Sequence, residues 1–316
     1  MQNDETKPPE ALAPAEPESA VPPADGAAHW GPLADVRGSV PASAVPPAGA
    51  APQPAVSPLF GEAVRERRPQ PWSGRDLLLF IVFFVAWLLI SNFVALAGYS
   101  LLKPIMGWHT AASALADNAF FALVAQVIFY VPLFLFILLL VVVCYRQPFW
   151  EGIRWFKPTR PGAFQLFFGG VLLAFGVLAG SAFLPDHKPF PLEKLFSSPG
   201  SAYALGAFAV LIAPFMEELV FRGVFFSFFE HRAGLAFAVA GTAILFAATH
   251  IPEYWGAWSH VLMILVVGVV FSLARGITGS LVPSVILHTA YNATLMSGLF
   301  LGTHYFHNLQ ALIAGV

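Results

Sequence analysis

Charged residues are scarce in this sequence and nearly absent from its second half. Only 11% of the 316 residues are charged, and residues 1–75 hold 15 of the 34 charged side chains. Beyond Glu253 the one charged residue is Arg275. A soluble globular protein covers its surface with about 25% charged residues. Together with an apolar content of 57%, this scarcity excludes a soluble globule and predicts an all-α, polytopic transmembrane helical bundle.

Two further absences narrow the possible functions. Cys144 is the single cysteine, which excludes an intramolecular disulfide. Because Cys144 ends an apolar run, we interpret it as a packing residue. The formal net charge is −2 and the sequence has no basic face, so nothing indicates nucleic-acid binding. The lipid bilayer is the expected environment.

The N-terminal segment lacks the residues that build a core. Residues 1–75 are rich in proline and alanine and do not show the pattern of a signal peptide. Such a composition predicts a disordered, solvated tail. Residues 76–316 are predicted to form the transmembrane domain.

Long apolar runs predict seven or eight spans, since about 20 apolar residues cross a bilayer core. Lys and Arg concentrate before the first span and in alternate loops, which predicts a cytoplasmic N-terminus. The C-terminal tail could add a partial eighth, interfacial helix. The seven predicted spans are 77–100, 119–143, 163–184, 203–229, 234–250, 257–275 and 277–300.

Three of these runs contain polar side chains at membrane depth, where such groups are costly and usually functional. The segments are APFMEELVFRG, LFAATH and ILHTAYN. Counting 1.5 Å per helical residue from the predicted inner surface places all three polar positions in one layer near the middle of the membrane. The residues concerned are Glu217, Glu218, Arg222, His250, His288 and Asn292.

Helical spacing assigns partners within these segments. Glu218 and Arg222 are four residues apart, so they share a helix face and can form an ion pair. That pairing leaves Glu217 as the uncompensated carboxylate. The same spacing makes His288 and Asn292 project together.

These residue types suit hydrolysis. Glu217 with His250 could deprotonate and orient a water, while His288 and Asn292 could donate hydrogen bonds to the oxyanion. Alternatively, Glu217, His250 and His288 could hold a divalent metal such as zinc. The sequence has no HExxH motif to support that alternative.

Other interpretations remain open. The Glu218–Arg222 pair and the His288–Asn292 pair could each be purely structural, and His250 could be interfacial. Buried carboxylates are also typical of transporters and proton relays, although no half-to-half repeat of the transporter type is evident. A non-catalytic membrane scaffold or immunity-type protein is a further alternative.

Taken together, the three segments resemble the type II CAAX prenyl endopeptidase family, which also includes bacteriocin-processing and self-immunity proteins of bacteria. The family pattern of EExxxR, FxxxH and HxxxN occurs here in order, and the approach GITGSLVPSVILH is similar as well. The resemblance covers about residues 200–300.

The resemblance implies an intramembrane endopeptidase of a bacterial cell membrane that acts on a membrane-associated peptide or protein. It implies Glu217 as the catalytic base and His250 as its partner on the attacking water. It implies His288 and Asn292 as the oxyanion donors, with Glu218 and Arg222 holding the site in place. The family is classed among the metalloproteases, and the same layout fits a glutamate-dependent mechanism without metal.

Overall fold

The computed structural model describes residues 72–184 and 191–309. Within these ranges every regular element is helical, which confirms the predicted all-α bundle. Residues 1–71 of the predicted tail and residues 310–316 lie outside the described residues. The helices are α1 Gly74–Met106, α2 Ala119–Leu139, α3 Phe149–Gly152, α4 Ala163–Ser181, α5 Pro199–Leu211, α6 Ala213–Glu218, α7 Phe226–Thr249, α8 Trp258–Thr278 and α9 Val282–Gly302. Turns of 3₁₀ helix occur at Ala112–Asp117 and Pro191–Leu195, and turns of π helix at Leu140–Cys144 and Leu219–Phe225.

Five helical stretches of the described chain are long and apolar enough to cross a membrane, so the chain is an integral membrane protein. The longest, Pro199–Thr249, contains two predicted spans, because the backbone breaks at Gly234. There φ is +82° and ψ is 178°, a conformation open essentially to glycine alone. α9 is long enough as well, but His288 and Asn292 lower its hydropathy. Each of the seven predicted spans therefore corresponds to helix in the structure.

The fourth predicted span, 203–229, is not one continuous helix. α5 ends at Leu211, α6 begins at Ala213, and the π turn Leu219–Phe225 follows. The cause of the first break is Pro214, which has no N–H and whose ring clashes with the carbonyl one turn earlier. The break and the π turn flank the Glu-Glu pair, and π turns are frequent at functional sites.

α9 is the central helix of the bundle. It packs against α4, α5, α6 and α8. The approach of α4 is close because Gly170 faces it: a Cβ at this position would lie 2.5 Å from the Leu287 carbonyl oxygen and 2.7 Å from the Ala290 Cβ. This packing holds His288, which follows Leu287, in the interior.

The loops meet at two ends of the bundle. At one end the Leu281 amide donates to the Arg154 carbonyl at 3.0 Å, which joins the α8–α9 and α3–α4 connections. At the other end the Leu192 amide donates to the Glu253 carbonyl at 3.2 Å, which joins the segment before α5 to the α7–α8 loop. This grouping agrees with the predicted alternation of loops. Which end faces the cytoplasm stays a prediction.

Candidate active site

A buried ion pair anchors the site. Arg222 Nη1 donates to Glu218 Oε1 at 2.9 Å, and both side chains are fully buried. The four-residue spacing predicted this contact, and it persists although Arg222 lies in the π turn. Inside a bilayer a charge of either sign is costly alone, so each group compensates the other.

The remaining donors of Arg222 reach across to α8. Nη2 donates to the Gly268 carbonyl at 2.9 Å and Nε to the Ser272 hydroxyl at 3.3 Å. The guanidinium also lies 4.6 Å from the ring centroid of Phe246 and 5.5 Å from that of Phe271, in the range of cation–π contacts. Arg222 therefore fixes α6, α7 and α8 to one another around Glu218.

His288 connects the two glutamates. Its Nδ1 lies 2.9 Å from Glu218 Oε1, and its Nε2 lies 3.7 Å from Glu217 Oε2. Because a carboxylate only accepts hydrogen bonds, we place a proton on Nδ1. The ring stacks on Phe271 at 4.7 Å between centroids and meets Phe246 edge-on at 5.8 Å. His288 is held rigidly, with Nε2 directed at Glu217.

Glu217 is the less enclosed of the two glutamates. Its side chain is 20% exposed, whereas that of Glu218 is fully buried. No basic residue lies three or four positions from Glu217 in the sequence. In the tertiary structure, however, Glu217 has two partners from other helices. These partners are His288, and Tyr130 of α2, whose hydroxyl lies 3.5 Å from Oε1.

His250 caps the C-terminal end of α7 and packs against Phe246, the phenylalanine that also contacts His288. Its Nδ1 lies 2.8 Å from the Phe246 carbonyl oxygen, and its ring lies 4.7 Å from that of Phe246. Because a carbonyl oxygen only accepts hydrogen bonds, Nδ1 donates to it, which leaves Nε2 available to another partner. The Phe246 ring thus packs against both histidines, edge-on at 5.8 Å in the case of His288. Within the described chain His250 makes no hydrogen bond to Glu217.

Asn292 is engaged elsewhere. Its Nδ2 donates to the Ala209 carbonyl at 2.8 Å. That carbonyl would ordinarily accept from the amide of Ala213, but α5 ends at Leu211. Asn292 therefore satisfies a carbonyl released by the break between α5 and α6, and ties α9 to that break. The structure assigns it this structural contact; the predicted oxyanion role stays a prediction.

The three predicted metal ligands do not converge in the described part of the chain. Among residues 72–184 and 191–309, no three His, Cys, Asp or Glu side chains come together as a metal ion requires. Of the predicted ligands Glu217, His250 and His288, only Glu217 and His288 approach each other. A zinc site at these residues therefore stays a prediction.

Sequence patterns did not reveal two groups near Glu217. Tyr130 lies in the apolar run of α2 and has no motif around it. Glu253 lies in the turn after His250, where its amide donates to the His250 carbonyl at 3.1 Å. Desolvation by the surrounding protein raises the pKa of the Glu253 carboxyl, and the nearby charge of Glu217 raises it further. His250 acts in the opposite direction, but the pKa is raised on balance. The signal in the sequence that could have indicated Glu253 is its position only three residues after His250.

The structure thus gathers Glu217, Glu218, Arg222 and His288 into one connected group. His250 is linked to that group through its contact with Phe246, and Asn292 supports the helix that carries His288. A carboxylate, an imidazole and a fixed ion pair in a largely buried interior form an arrangement able to activate one water molecule.

The comparison with known families concerns the same segment of the chain. The family model described as type II CAAX prenyl endopeptidase Rce1-like matches residues 199–294. No curated protein and no solved structure matches the chain. The matched segment includes every motif residue on which the sequence resemblance rests, so that resemblance is confirmed. Residues 199–294 of this membrane protein, from the start of α5 into α9, thus match the type II CAAX prenyl endopeptidase Rce1-like family.

Proposed function

We propose that the chain is an intramembrane endopeptidase that hydrolyses a peptide bond of a membrane-associated substrate with a water activated by Glu217. The observation that carries this proposal is the 3.7 Å separation between Glu217 Oε2 and His288 Nε2. A water can lie at a normal hydrogen-bond distance of about 2.8 Å from both atoms. The Rce1-like domain supplies the reaction class.

Charge balance in the interior supports a protonated His288. Glu217 and Glu218 contribute two negative charges and Arg222 contributes one positive charge. An imidazolium at His288 makes the group neutral, which a low-dielectric interior favours. In that form Nδ1 donates to Glu218, and Nε2 has a proton to donate to a substrate oxygen.

The reaction then follows from the positions of these groups. Glu217 accepts a proton from the water, and the oxygen of that water bonds to the carbonyl carbon. Negative charge develops on the carbonyl oxygen and is stabilised by the Nε2 proton of His288. When the carbon–nitrogen bond breaks, Glu217 returns its proton to the leaving amine. His250 Nε2 can accept a hydrogen bond and so orient the water or the substrate.

The lipid environment supports a substrate that reaches the site from the membrane. The name of the matched family points to peptides ending in a prenylated CAAX sequence. We propose such a lipidated peptide as the first probe, with cleavage near the membrane surface. We also propose that the protein lies in a bacterial cell membrane with its N-terminus in the cytoplasm.

The test uses purified protein in lipid nanodiscs with quenched fluorescent peptides, farnesylated at a C-terminal CAAX cysteine or left unmodified. Glu217→Gln removes the base while preserving shape, so cleavage is expected to fall to background. Glu151→Gln, at an exposed position of the short helix α3, is the matched control and is expected to cleave like wild type. Metal analysis and chelator treatment of the same samples are expected to leave the rate unchanged. Wild-type cleavage by Glu217→Gln, or solute flux in proteoliposomes that depends on Glu217, would contradict the proposal.

A further inference from the structure

A helix outside the family-matched segment reaches the proposed base. Tyr130 belongs to α2, whereas the match begins at residue 199. Its residue surface is only 9% exposed, and its hydroxyl lies 3.5 Å from Glu217 Oε1. A phenol hydroxyl donates to a carboxylate, and such contacts are often long before substrate binds. Tyr130 therefore adds a donor that the matched segment does not contain.

Packing fixes the ring of Tyr130. It stacks on Phe208 of α5 with 5.8 Å between centroids and 14° between planes. On its own helix, Pro132 has no N–H to give to the Ile128 carbonyl. The indole Nε1 of Trp87 in α1 donates to that carbonyl instead, at 3.1 Å. α1 and α5 thus hold this turn of α2 and aim the hydroxyl.

The two oxygens of Glu217 have different neighbours. Oε1 faces the Tyr130 hydroxyl, and Oε2 faces His288 Nε2 at 3.7 Å. A donor on Oε1 stops the carboxylate from rotating and leaves Oε2 for the water. We propose that Tyr130 is a positioning residue that orients Glu217 for proton transfer. This inference rests on the proposed function. It implies that α2 contributes a residue to the active site.

The perturbation is Tyr130→Phe, which removes the hydroxyl and keeps the ring that stacks on Phe208. Loss of a hydrogen bond to a charged group is expected to lower kcat about 10- to 100-fold, with KM nearly unchanged. Tyr99→Phe is the matched control. It removes a phenol hydroxyl that donates to the Thr110 carbonyl at 2.8 Å, on α1 and away from Glu217, and its kcat is expected to equal that of wild type.

A second comparison tests whether Tyr130 acts through Glu217. In a Glu217→Asp background, which keeps a carboxylate and a measurable rate but withdraws its oxygens from the Tyr130 hydroxyl, Tyr130→Phe is expected to cause little further loss of kcat, because residues that act as a unit are non-additive. If Tyr130→Phe fails to insert, difluorotyrosine in place of Tyr130 keeps the shape and strengthens the donor. A lower kcat is then expected, since a stronger hydrogen bond makes Glu217 a weaker base.

The outcomes separate the two proposals. Loss of cleavage in Glu217→Gln with wild-type kcat in Tyr130→Phe, or wild-type kcat with difluorotyrosine, would overturn the positioning role alone. An equal fall in Tyr130→Phe and Tyr99→Phe, or a change in KM only, would also overturn it. Undiminished cleavage by Glu217→Gln would refute the proposed function itself.

Discussion

Replacing Arg222 by methionine removes the cation that makes a buried Glu218 tolerable. The variant loses the 2.9 Å contact to Glu218 and the donors to Gly268 and Ser272. Because Glu218 is fully buried, its carboxylate cannot recover this loss by hydration. Breaking a buried pair from one side costs about 3–5 kcal/mol, which is a large share of a typical folding free energy.

Removing the second charge is expected to reverse much of that loss. In Glu218→Gln/Arg222→Met no carboxylate remains at position 218, and the glutamine carbonyl can still accept from His288 Nδ1. We expect the double variant to be more stable than the sum of the single losses implies, with a coupling of about 2–3 kcal/mol.

The assay is equilibrium unfolding in mixed detergent micelles, followed by tryptophan fluorescence. Lys157→Met is the control, because Lys157 is exposed in the loop before α4, and its unfolding midpoint is expected to match wild type. Strictly additive losses in the double variant would refute the argument that an uncompensated charge dominates the cost. An Arg222→Met protein as stable as wild type would refute the proposed anchoring role of the pair.

Two further variants test the packing that supports the site. Gly170→Ala places a Cβ 2.5 Å from the Leu287 carbonyl oxygen, and thermal unfolding is expected to show a loss of about 1–3 kcal/mol. Gly176→Ala on the same helix is its control: apart from the neighbouring backbone of its own helix, nothing lies within 4 Å of the added Cβ, so this change is expected to be neutral or slightly stabilising. Asn292→Leu leaves the Ala209 carbonyl without its donor and is expected to cost about 1–3 kcal/mol in the same unfolding assay. If Asn292→Leu instead abolishes cleavage at unchanged stability, the oxyanion role is favoured over the structural one.

Much of the fold follows from composition and apolar run length. Seven runs predicted seven spans, because a bilayer admits only backbone that satisfies its own hydrogen bonds. The errors lie where local chemistry interrupts a run. Pro214 and the π turn Leu219–Phe225 divide the predicted span 203–229, and hydropathy averages over such breaks. The start of α9 at Val282 follows a left-handed cap at Gly279, which an apolar count also cannot detect.

The site, like the fold, was predicted only in part from the sequence. Helical spacing was sufficient to pair Glu218 with Arg222, since both lie within about one turn. Spacing also separated Glu217 from that pair, but it could not name the partners of Glu217. Those partners come from α2 and α9, and contacts between helices leave no periodic trace in a single sequence.

By itself, then, the sequence determined the class of protein, the positions of its spans and the polar residues that the membrane would otherwise exclude. Charge scarcity and periodicity are local properties, and both can be counted along a chain. Only the tertiary structure decided that His288 lies between the two glutamates, that Asn292 donates to the carbonyl at a helix break, and that Tyr130 faces the proposed base. Each of these depends on how helices distant in sequence pack together. For that reason the two carboxylates adjacent in sequence differ in their surroundings, with Glu218 enclosed in the ion pair and Glu217 partly open between His288 and Tyr130.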